Sequence, residues 1–139
     1  MTAQVPHTGV ANYRRMSHDE LSIDLKTEDA GETLVFVLRG SLDIATSPTV
    51  RAALVDAADK GNKDIIVDLT GLEFLDSTGL GALIGAHRRA NEHGGSLRVV
   101  VREGPILRLL NITGLIRIFS VYYSREDARA DHDRVAATL

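Results

Sequence analysis

The amino-acid sequence predicts an α/β domain whose sheet is mixed, mainly parallel, four to five strands wide and covered by about four helices. Short apolar runs, typical of strands, alternate with segments in which apolar residues recur at helical spacing. The first two strand candidates follow each other directly, whereas a helix candidate separates each later one from the next. Because parallel neighbours need a crossover connection, this order favours parallel pairing after the second strand. The predicted order is β-β-α-β-α-β-α-β-α.

The strand candidates are recognised by their apolar patterns. Leu21, Ile23 and Leu25 alternate with polar residues, as in a strand with one buried face. Continuous apolar runs predict strands that are covered on both faces. These runs lie at residues 33–40, 64–69 and 97–102, and a last strand is predicted over residues 116–123.

The helix candidates carry start and stop signals. Ser47-Pro48 pairs a residue that caps helices with a proline suited to the first turn, and Gly61 can end that helix. A second helix is expected to follow the polar residues at 76–79 and to end at Gly94-Gly95. The last two begin at Pro105 and at Ser124-Arg125-Glu126-Asp127, which resembles a capping box.

The chain is expected to form one domain over residues 19–139, preceded by a flexible N-terminal extension at residues 1–18. The extension is polar, mixed in charge and without periodicity. It has no continuous apolar block of the kind that marks a secretory signal. No run elsewhere approaches the about 20 apolar residues that cross a bilayer. We therefore expect a soluble, cytoplasmic protein that does not itself contact a membrane.

Composition and spacing exclude several classes of function. The formal net charge of −3 argues against the clustered basic surface that direct nucleic-acid binding requires. The absence of cysteine excludes disulfides and thiolate metal sites. His87 and His93 lack a second ligand at metal spacing, and the glycines match no phosphate-binding pattern. We therefore expect neither a metal site nor a cofactor, and His87, on an apolar helical face, is expected to be packed.

The sequence LEFLDSTGLGAL places Asp76, Ser77, Thr78 and Gly79 between two apolar runs. One interpretation is a helix N-cap, formed by Ser77 or by Asp76. A catalytic serine is disfavoured, because the nucleophile elbow G-x-S-x-G requires glycine where Leu75 stands. A third interpretation is modification of Ser77, since such a turn is exposed and free N–H groups at a helix N-terminus favour an added phosphate.

Two further features lie close to this segment in the predicted fold. Gly79, Gly81 and Gly85 each lower helix propensity by about 1 kcal/mol relative to alanine, which indicates tight packing for at least one of them or close approach by a partner. Asp43 follows the second strand, either as an ordinary turn residue or as a functional group at the carboxyl edge of the sheet.

Three blocks of the sequence resemble successive blocks of the STAS domain, in particular of stand-alone anti-sigma factor antagonists. They are GSLDIATSPTV, DIIVDLTGLEFLDSTGLGALIGAHRRANEHGGSLRVV and GPILRLLNITGLIRIF. The resemblance spans roughly residues 20–125, and the D-S-T-G-L-G block, the downstream G-G and the T-G-L-I-R-I-F segment make it specific. It implies a STAS-like fold and a regulatory protein that is not an enzyme.

The resemblance implies a partner-switching regulator of transcription, of the kind used in stress responses. In that family the unmodified antagonist binds an anti-sigma factor, which is also a serine kinase, and so frees a sigma factor. The kinase binds ATP and phosphorylates the antagonist, which then dissociates, and a phosphatase restores it. Carried over, the phosphorylated residue is Ser77, and no residue is catalytic. The implied partner-binding residues are Asp43, Thr46, Asp76, Thr78, Gly79 and Leu80.

The chain departs from the family in two places. Ser41 stands where such proteins often carry an acidic residue, and the N-terminal extension is longer than the minimal domain needs. The resemblance also leaves an alternative open, a non-phosphorylated STAS subunit of a membrane transporter or sensor assembly. The nature of the partner distinguishes the two.

Overall fold

Six strands form one mixed sheet in the computed structural model, which describes residues 10–15, 21–28, 33–62 and 64–138. The order of the strands in the sheet is their order in the chain. The first two pairings are antiparallel, and the remaining three are parallel. The strands are β1 (Val10–Arg15), β2 (Leu21–Glu28), β3 (Thr33–Leu42), β4 (Asp64–Leu75), β5 (Ser96–Val100) and β6 (Ser120–Tyr122).

Four α-helices and one short 3-10 helix connect the strands within the described residues. They are α1 (Ser47–Asp59), α2 (Ser77–Glu92), α3 (Pro105–Thr113), the 3-10 helix (Leu115–Arg117) and α4 (Arg125–Ala130). From β2 to α4 the order matches the predicted one, so the α/β fold class is confirmed. Ser124 caps α4 by accepting a hydrogen bond from the Asp127 N–H (3.0 Å), as predicted, whereas the N-cap position of α1 holds Thr46 and not Ser47.

Residues 10–15, which lie within the predicted flexible extension, form the strand β1, so the sheet of the described residues has six strands instead of the predicted four to five. β1 pairs antiparallel with β2 through main-chain hydrogen bonds. Main-chain pairing to an open strand edge leaves little trace in side-chain periodicity, which explains why the sequence pattern missed it. The rest of the predicted extension, residues 1–9 and 16–18, lies outside the described residues.

The predicted strand at residues 116–123 is also wrong in its first half. Gly114 ends α3 in the left-handed conformation (φ 79°), and the 3-10 helix follows directly. Ile116 and Phe119 enter the core three residues apart, whereas Ile118 is exposed. A spacing of three is that of a 3-10 turn, so the strand β6 is confined to residues 120–122.

The helices cover the two faces of the sheet unequally. Alternate side chains of a strand point to opposite faces. Phe36 of β3 belongs to the main core together with Leu54 of α1 and Leu83 of α2, and α3 packs into the same core. Val35 points to the other face, where a smaller cluster includes Ala128 of α4. None of the helices in the described part of the chain is long and apolar enough to cross a membrane.

The central strands β3 and β4 end side by side. They are parallel, and their register pairs Leu42 with Leu75 at the carboxyl ends. The Asp76 N–H then donates to the carbonyl oxygen of Leu42 (3.3 Å). The β3–α1 turn (residues 43–46) and the β4–α2 turn (residues 76–79) therefore lie next to each other at the carboxyl edge of the sheet.

Candidate functional site

The β4–α2 turn is organised by the carboxylate of Asp76. Its Oδ1 accepts hydrogen bonds from the backbone N–H of Thr78 (3.0 Å) and of Gly79 (3.1 Å), and from the Thr78 hydroxyl (2.5 Å). Asp76 has an extended backbone, as an N-cap residue requires. Of the two N-cap alternatives that the sequence left open, the structure therefore selects Asp76.

These hydrogen bonds fix the charge of Asp76. The Thr78 hydroxyl, followed by the Gly79 N–H, holds the pKa of the Asp76 carboxyl below its usual value, because each donor stabilises the ionised form. The carboxylate is thus a weak base. The N–H groups of Thr78 and Gly79 are already occupied, so these two donors are not free to bind an added phosphate.

Ser77 is the first residue of α2 and is exposed. Its hydroxyl takes part in none of the hydrogen bonds among the described residues. A short turn between a buried strand and a packed helix holds the backbone of this residue in place, and its hydroxyl is accessible.

His87, ten residues after Ser77, is packed, as predicted. Its ring lies edge-on to the Phe119 ring, with centroids 5.5 Å apart and an interplanar angle of 89°. Its Nε2 is 3.1 Å from the Asn91 side-chain amide. Burial lowers the pKa of His87, since removal from water disfavours the charged imidazole. These contacts hold the ring within the helical layer and give it no part in activating Ser77.

The β3–α1 turn uses an aspartate in a similar way. Asp43 Oδ1 accepts from the N–H of Ala45 (2.9 Å) and of Thr46 (3.1 Å). The Thr46 hydroxyl donates to the Ser41 carbonyl oxygen (2.8 Å) and accepts from the Asp43 N–H (2.9 Å). Thr46 is only 1% exposed. Its contribution is to hold the loop that carries Asp43, and its hydroxyl does not form part of the accessible surface.

Gly79 and Leu80 also lie inside the protein. A Cβ built on Gly79 would be 2.8 Å from the Leu42 carbonyl oxygen and 2.6 Å from a methyl carbon of Leu75, so α2 approaches the sheet here more closely than a side chain allows. Leu80 belongs to the main core. The prediction that at least one glycine serves tight packing is confirmed for Gly79, whereas a Cβ on Gly81 would meet open space.

Of the predicted partner-binding residues, the structure thus leaves Asp43, Asp76 and Thr78 at least partly accessible. Thr46, Gly79 and Leu80 are buried. Their burial means that these three residues support the turns from within, and the assignment of all six residues to partner binding stays a prediction.

Two exposed apolar side chains at this edge escaped the sequence analysis. Ile44, within the β3–α1 turn, is 75% exposed, and Phe74, near the end of β4, is 50% exposed. The β3–β4 register shifts between Gly40 and Ser41, so that Phe74 pairs with Ser41 and strict alternation is lost. A bulge of this kind re-aims a side chain and is not visible in the sequence pattern.

Other surface features lie elsewhere on the fold. A cavity of about 600 Å³ lies between α3 and residues 133–138, and one of about 280 Å³ lies between the ends of β4 and β5 and the start of α3. Asp127, His132 and Asp133 place potential ligand atoms within 4.8 Å of one another, and His132 Nδ1 lies 3.1 Å from a carboxylate oxygen of Asp133. None of these residues belongs to either turn at the carboxyl edge.

Comparison with known proteins decides the family. The family model of the STAS domain matches residues 24–128. The chain belongs to the STAS domain family. A curated relative, the anti-sigma F factor antagonist of Paenibacillus polymyxa, is 30% identical over 117 residues, which cover 84% of this chain and all of the relative. The predicted resemblance to anti-sigma factor antagonists is thereby confirmed.

Two solved structures share the architecture. A crystal structure of an anti-sigma factor antagonist from Mycobacterium paratuberculosis superposes with a TM-score of 0.74 at 24% identity, covering 85% of this chain and 97% of that one. The Bacillus cell fate determinant SpoIIAA, solved in its phosphorylated form, gives a TM-score of 0.59 at 25% identity, covering 78% and 97%. The predicted domain limits of 19–139 extend beyond the matched range on both sides and stay a prediction.

Proposed function

We propose that this STAS protein is an anti-sigma factor antagonist. It binds an anti-sigma factor, thereby frees a sigma factor, and is released when Ser77 is phosphorylated. Two observations support this function: the family of the chain, and the name of the Paenibacillus polymyxa relative, which the chain matches over the whole length of that relative. The protein is then a regulatory binding module in the cytoplasm and not an enzyme.

The observation that carries the proposal is the hydroxyl of Ser77, which is exposed and makes no hydrogen bond within the described part of the chain, at the edge where β3 and β4 end together. The accessible residues around it form what we call the contact surface, made of Asp43, Ile44, Phe74, Ser77 and Thr78. Exposed apolar side chains beside a polar turn are typical of a protein–protein interface, in which apolar anchors carry most of the binding energy. Ser77 lies in this surface, so that its modification acts on binding directly.

Phosphorylation would weaken binding through charge. A phosphoserine adds about −1.5 to −2 charges and three acceptor oxygens. The neighbouring carboxylate of Asp76 already occupies the N–H groups of Thr78 and Gly79, so the phosphate remains directed toward the partner. Burying such a dianion without a cationic partner costs several kcal/mol, which corresponds to a loss of affinity of about a hundredfold or more.

The partners follow from the same switch. The anti-sigma factor acts as the serine kinase and binds the ATP, and a separate phosphatase removes the phosphate. The exposure of Ser77 supports this cycle, because both enzymes require access to the hydroxyl or its phosphate.

Affinity capture with the wild type, Ser77→Ala and Ser77→Asp tests the proposal. We expect the wild type and Ser77→Ala to retain a kinase-fold partner that Ser77→Asp loses, and intact-mass measurement with that partner and ATP to show one phosphate on the wild type and none on Ser77→Ala. Equal capture by all three proteins would contradict the switch. Recovery of a membrane-associated ATPase instead would favour the alternative, a subunit of a transporter or sensor assembly.

A further inference from the structure

We propose that Asp76 confines phosphorylation to Ser77 by holding the adjacent hydroxyl of Thr78. This inference rests on the proposed function and concerns the choice between two neighbouring hydroxyls. Asp76 acts as a specificity-determining residue of the substrate, although it does not itself react.

The choice arises because both hydroxyls are candidates for the same reaction. Ser77 and Thr78 are the first two residues of α2, and both are exposed. In the transfer, a hydroxyl oxygen forms a bond to the γ-phosphorus of ATP. The bond from that phosphorus to the β–γ bridging oxygen breaks, ADP leaves with the electron pair, and the hydroxyl proton passes to a base of the kinase. Either hydroxyl could supply the oxygen, so the chemistry of the side chains alone does not distinguish them.

Hydrogen bonding distinguishes them. The Thr78 hydroxyl donates to Asp76 Oδ1 at 2.5 Å, and the Thr78 backbone N–H donates to the same oxygen at 3.0 Å. Asp76 therefore holds both the hydroxyl and the backbone N–H of Thr78. Before attack, it must break a hydrogen bond to a charged acceptor and turn toward the kinase. Ser77 has no such bond to break within the described residues.

Charge acts in the same direction. The hydroxyl oxygen of Thr78 lies against a carboxylate, whose negative charge opposes the approach of the γ-phosphate. The low pKa of Asp76 also makes it a poor acceptor for the proton that must leave. Asp76 thus holds Thr78 without activating it.

Site-resolved phosphorylation of the full chain tests the inference. The probe is the anti-sigma F factor of Paenibacillus polymyxa with ATP, and tandem mass spectrometry assigns the phosphate. We expect phosphate on Ser77 alone in the wild type and none in Ser77→Ala. In Asp76→Ala the ratio of Thr78 to Ser77 phosphate should rise by about tenfold, the factor expected for loss of a hydrogen bond to a charged acceptor. The double variant Asp76→Ala, Ser77→Ala should accept phosphate on Thr78.

A second probe keeps the inference testable if this kinase modifies none of the proteins. Acetic anhydride forms an ester with a free hydroxyl, acetate leaves and the proton passes to solvent, so no enzyme is involved. We again expect the ratio of Thr78 to Ser77 ester to rise about tenfold in Asp76→Ala. Thr78→Val is the matched control and should leave Ser77 acetylation unchanged, while circular dichroism verifies that each variant is folded.

The outcomes separate the two proposals. An unchanged ratio in Asp76→Ala with either probe, or modification of Thr78 in the wild type as fast as Ser77, would overturn the role of Asp76. Absence of phosphate on the wild type with its own captured partner would count against the proposed function instead, and the acetylation ratio would still decide the role of Asp76.

Discussion

The two turns at the carboxyl edge are built alike and expose different groups. In each, one carboxylate oxygen accepts from the backbone N–H groups two and three residues ahead, at 2.9 and 3.1 Å for Asp43 and at 3.0 and 3.1 Å for Asp76. In each, a threonine hydroxyl also contacts that oxygen, from Thr46 at 3.2 Å and from Thr78 at 2.5 Å.

The difference lies in where the hydroxyls point. Thr46 and Ser47 are buried, at 1% and 5% exposure, whereas Ser77 and Thr78 are exposed. In the β3–α1 turn Asp43 stands three residues before the N-cap position, so Thr46 and Ser47 occupy the N-cap and the first helical position and are buried there. In the β4–α2 turn Asp76 is itself the N-cap, and Ser77, the residue that follows, is exposed to solvent. The same hydrogen-bond arrangement thus stabilises the loop in one turn and leaves a hydroxyl exposed in the other.

The largest effect is expected where the two turns touch. Gly79→Ala would place its Cβ 2.8 Å from the backbone oxygen of Leu42, which cannot move without disturbing β3. We expect a loss of about 3 kcal/mol in the free energy of unfolding, measured by urea denaturation. Gly81→Ala is the control, because its Cβ meets open space and alanine favours the helix by about 1 kcal/mol. Equal stability of the two variants would show that the close approach is not a constraint.

The next effect separates the buried threonine from the exposed one. Thr46→Val leaves the Ser41 carbonyl oxygen and the Asp43 N–H without their partner, so we expect a loss of about 2 kcal/mol. Thr78→Val removes an exposed hydrogen bond to the Asp76 carboxylate but leaves no buried polar group unpaired, so it should cost less, about 1 kcal/mol. Thermal and urea unfolding measure the change in the free energy of unfolding for both variants. Similar losses in the two variants would remove the distinction between the turns.

A smaller effect should appear in binding alone. Ile44→Ser removes an apolar side chain from the contact surface and should weaken binding to the anti-sigma factor about five- to tenfold, with unchanged folding. Ile112→Ser, on α3, changes a residue that is 67% exposed but lies outside the contact surface, and should leave affinity unchanged. Isothermal titration calorimetry compares the two variants. If both lost the same affinity, the assigned surface would be wrong.

The smallest effect concerns acid. Since hydrogen bonds lower the pKa of Asp76 in the folded protein, its contribution to stability is complete above its unfolded value of 3.8 and is lost as the pH falls through the lower folded value. Asp76→Asn keeps a capping oxygen but does not titrate, so this part of the acid dependence should disappear. Urea midpoints measured at decreasing pH test it. Parallel curves for wild type and variant would show that the cap carries no charge-dependent stability.

Much of this architecture could be predicted from local signals. Periodicity and capping signals predicted the order of the elements from β2 to α4, and the polar block before α2 indicated the candidate site. The predictions failed where the cause was not local. β1 depends on main-chain pairing to a strand edge, and the exposure of Phe74 depends on a shift in register between two strands. The burial of Thr46 follows from packing of its whole loop, which no spacing rule records.

The order of the strands has a consequence for synthesis. Each strand of the sheet pairs with the strand that immediately precedes it in the chain. The preceding sheet neighbour of each strand has therefore left the ribosome before the strand itself, and sheet growth can follow translation from one edge to the other. The turn that carries Ser77 can form once α2 has emerged, before β5 and β6 are made.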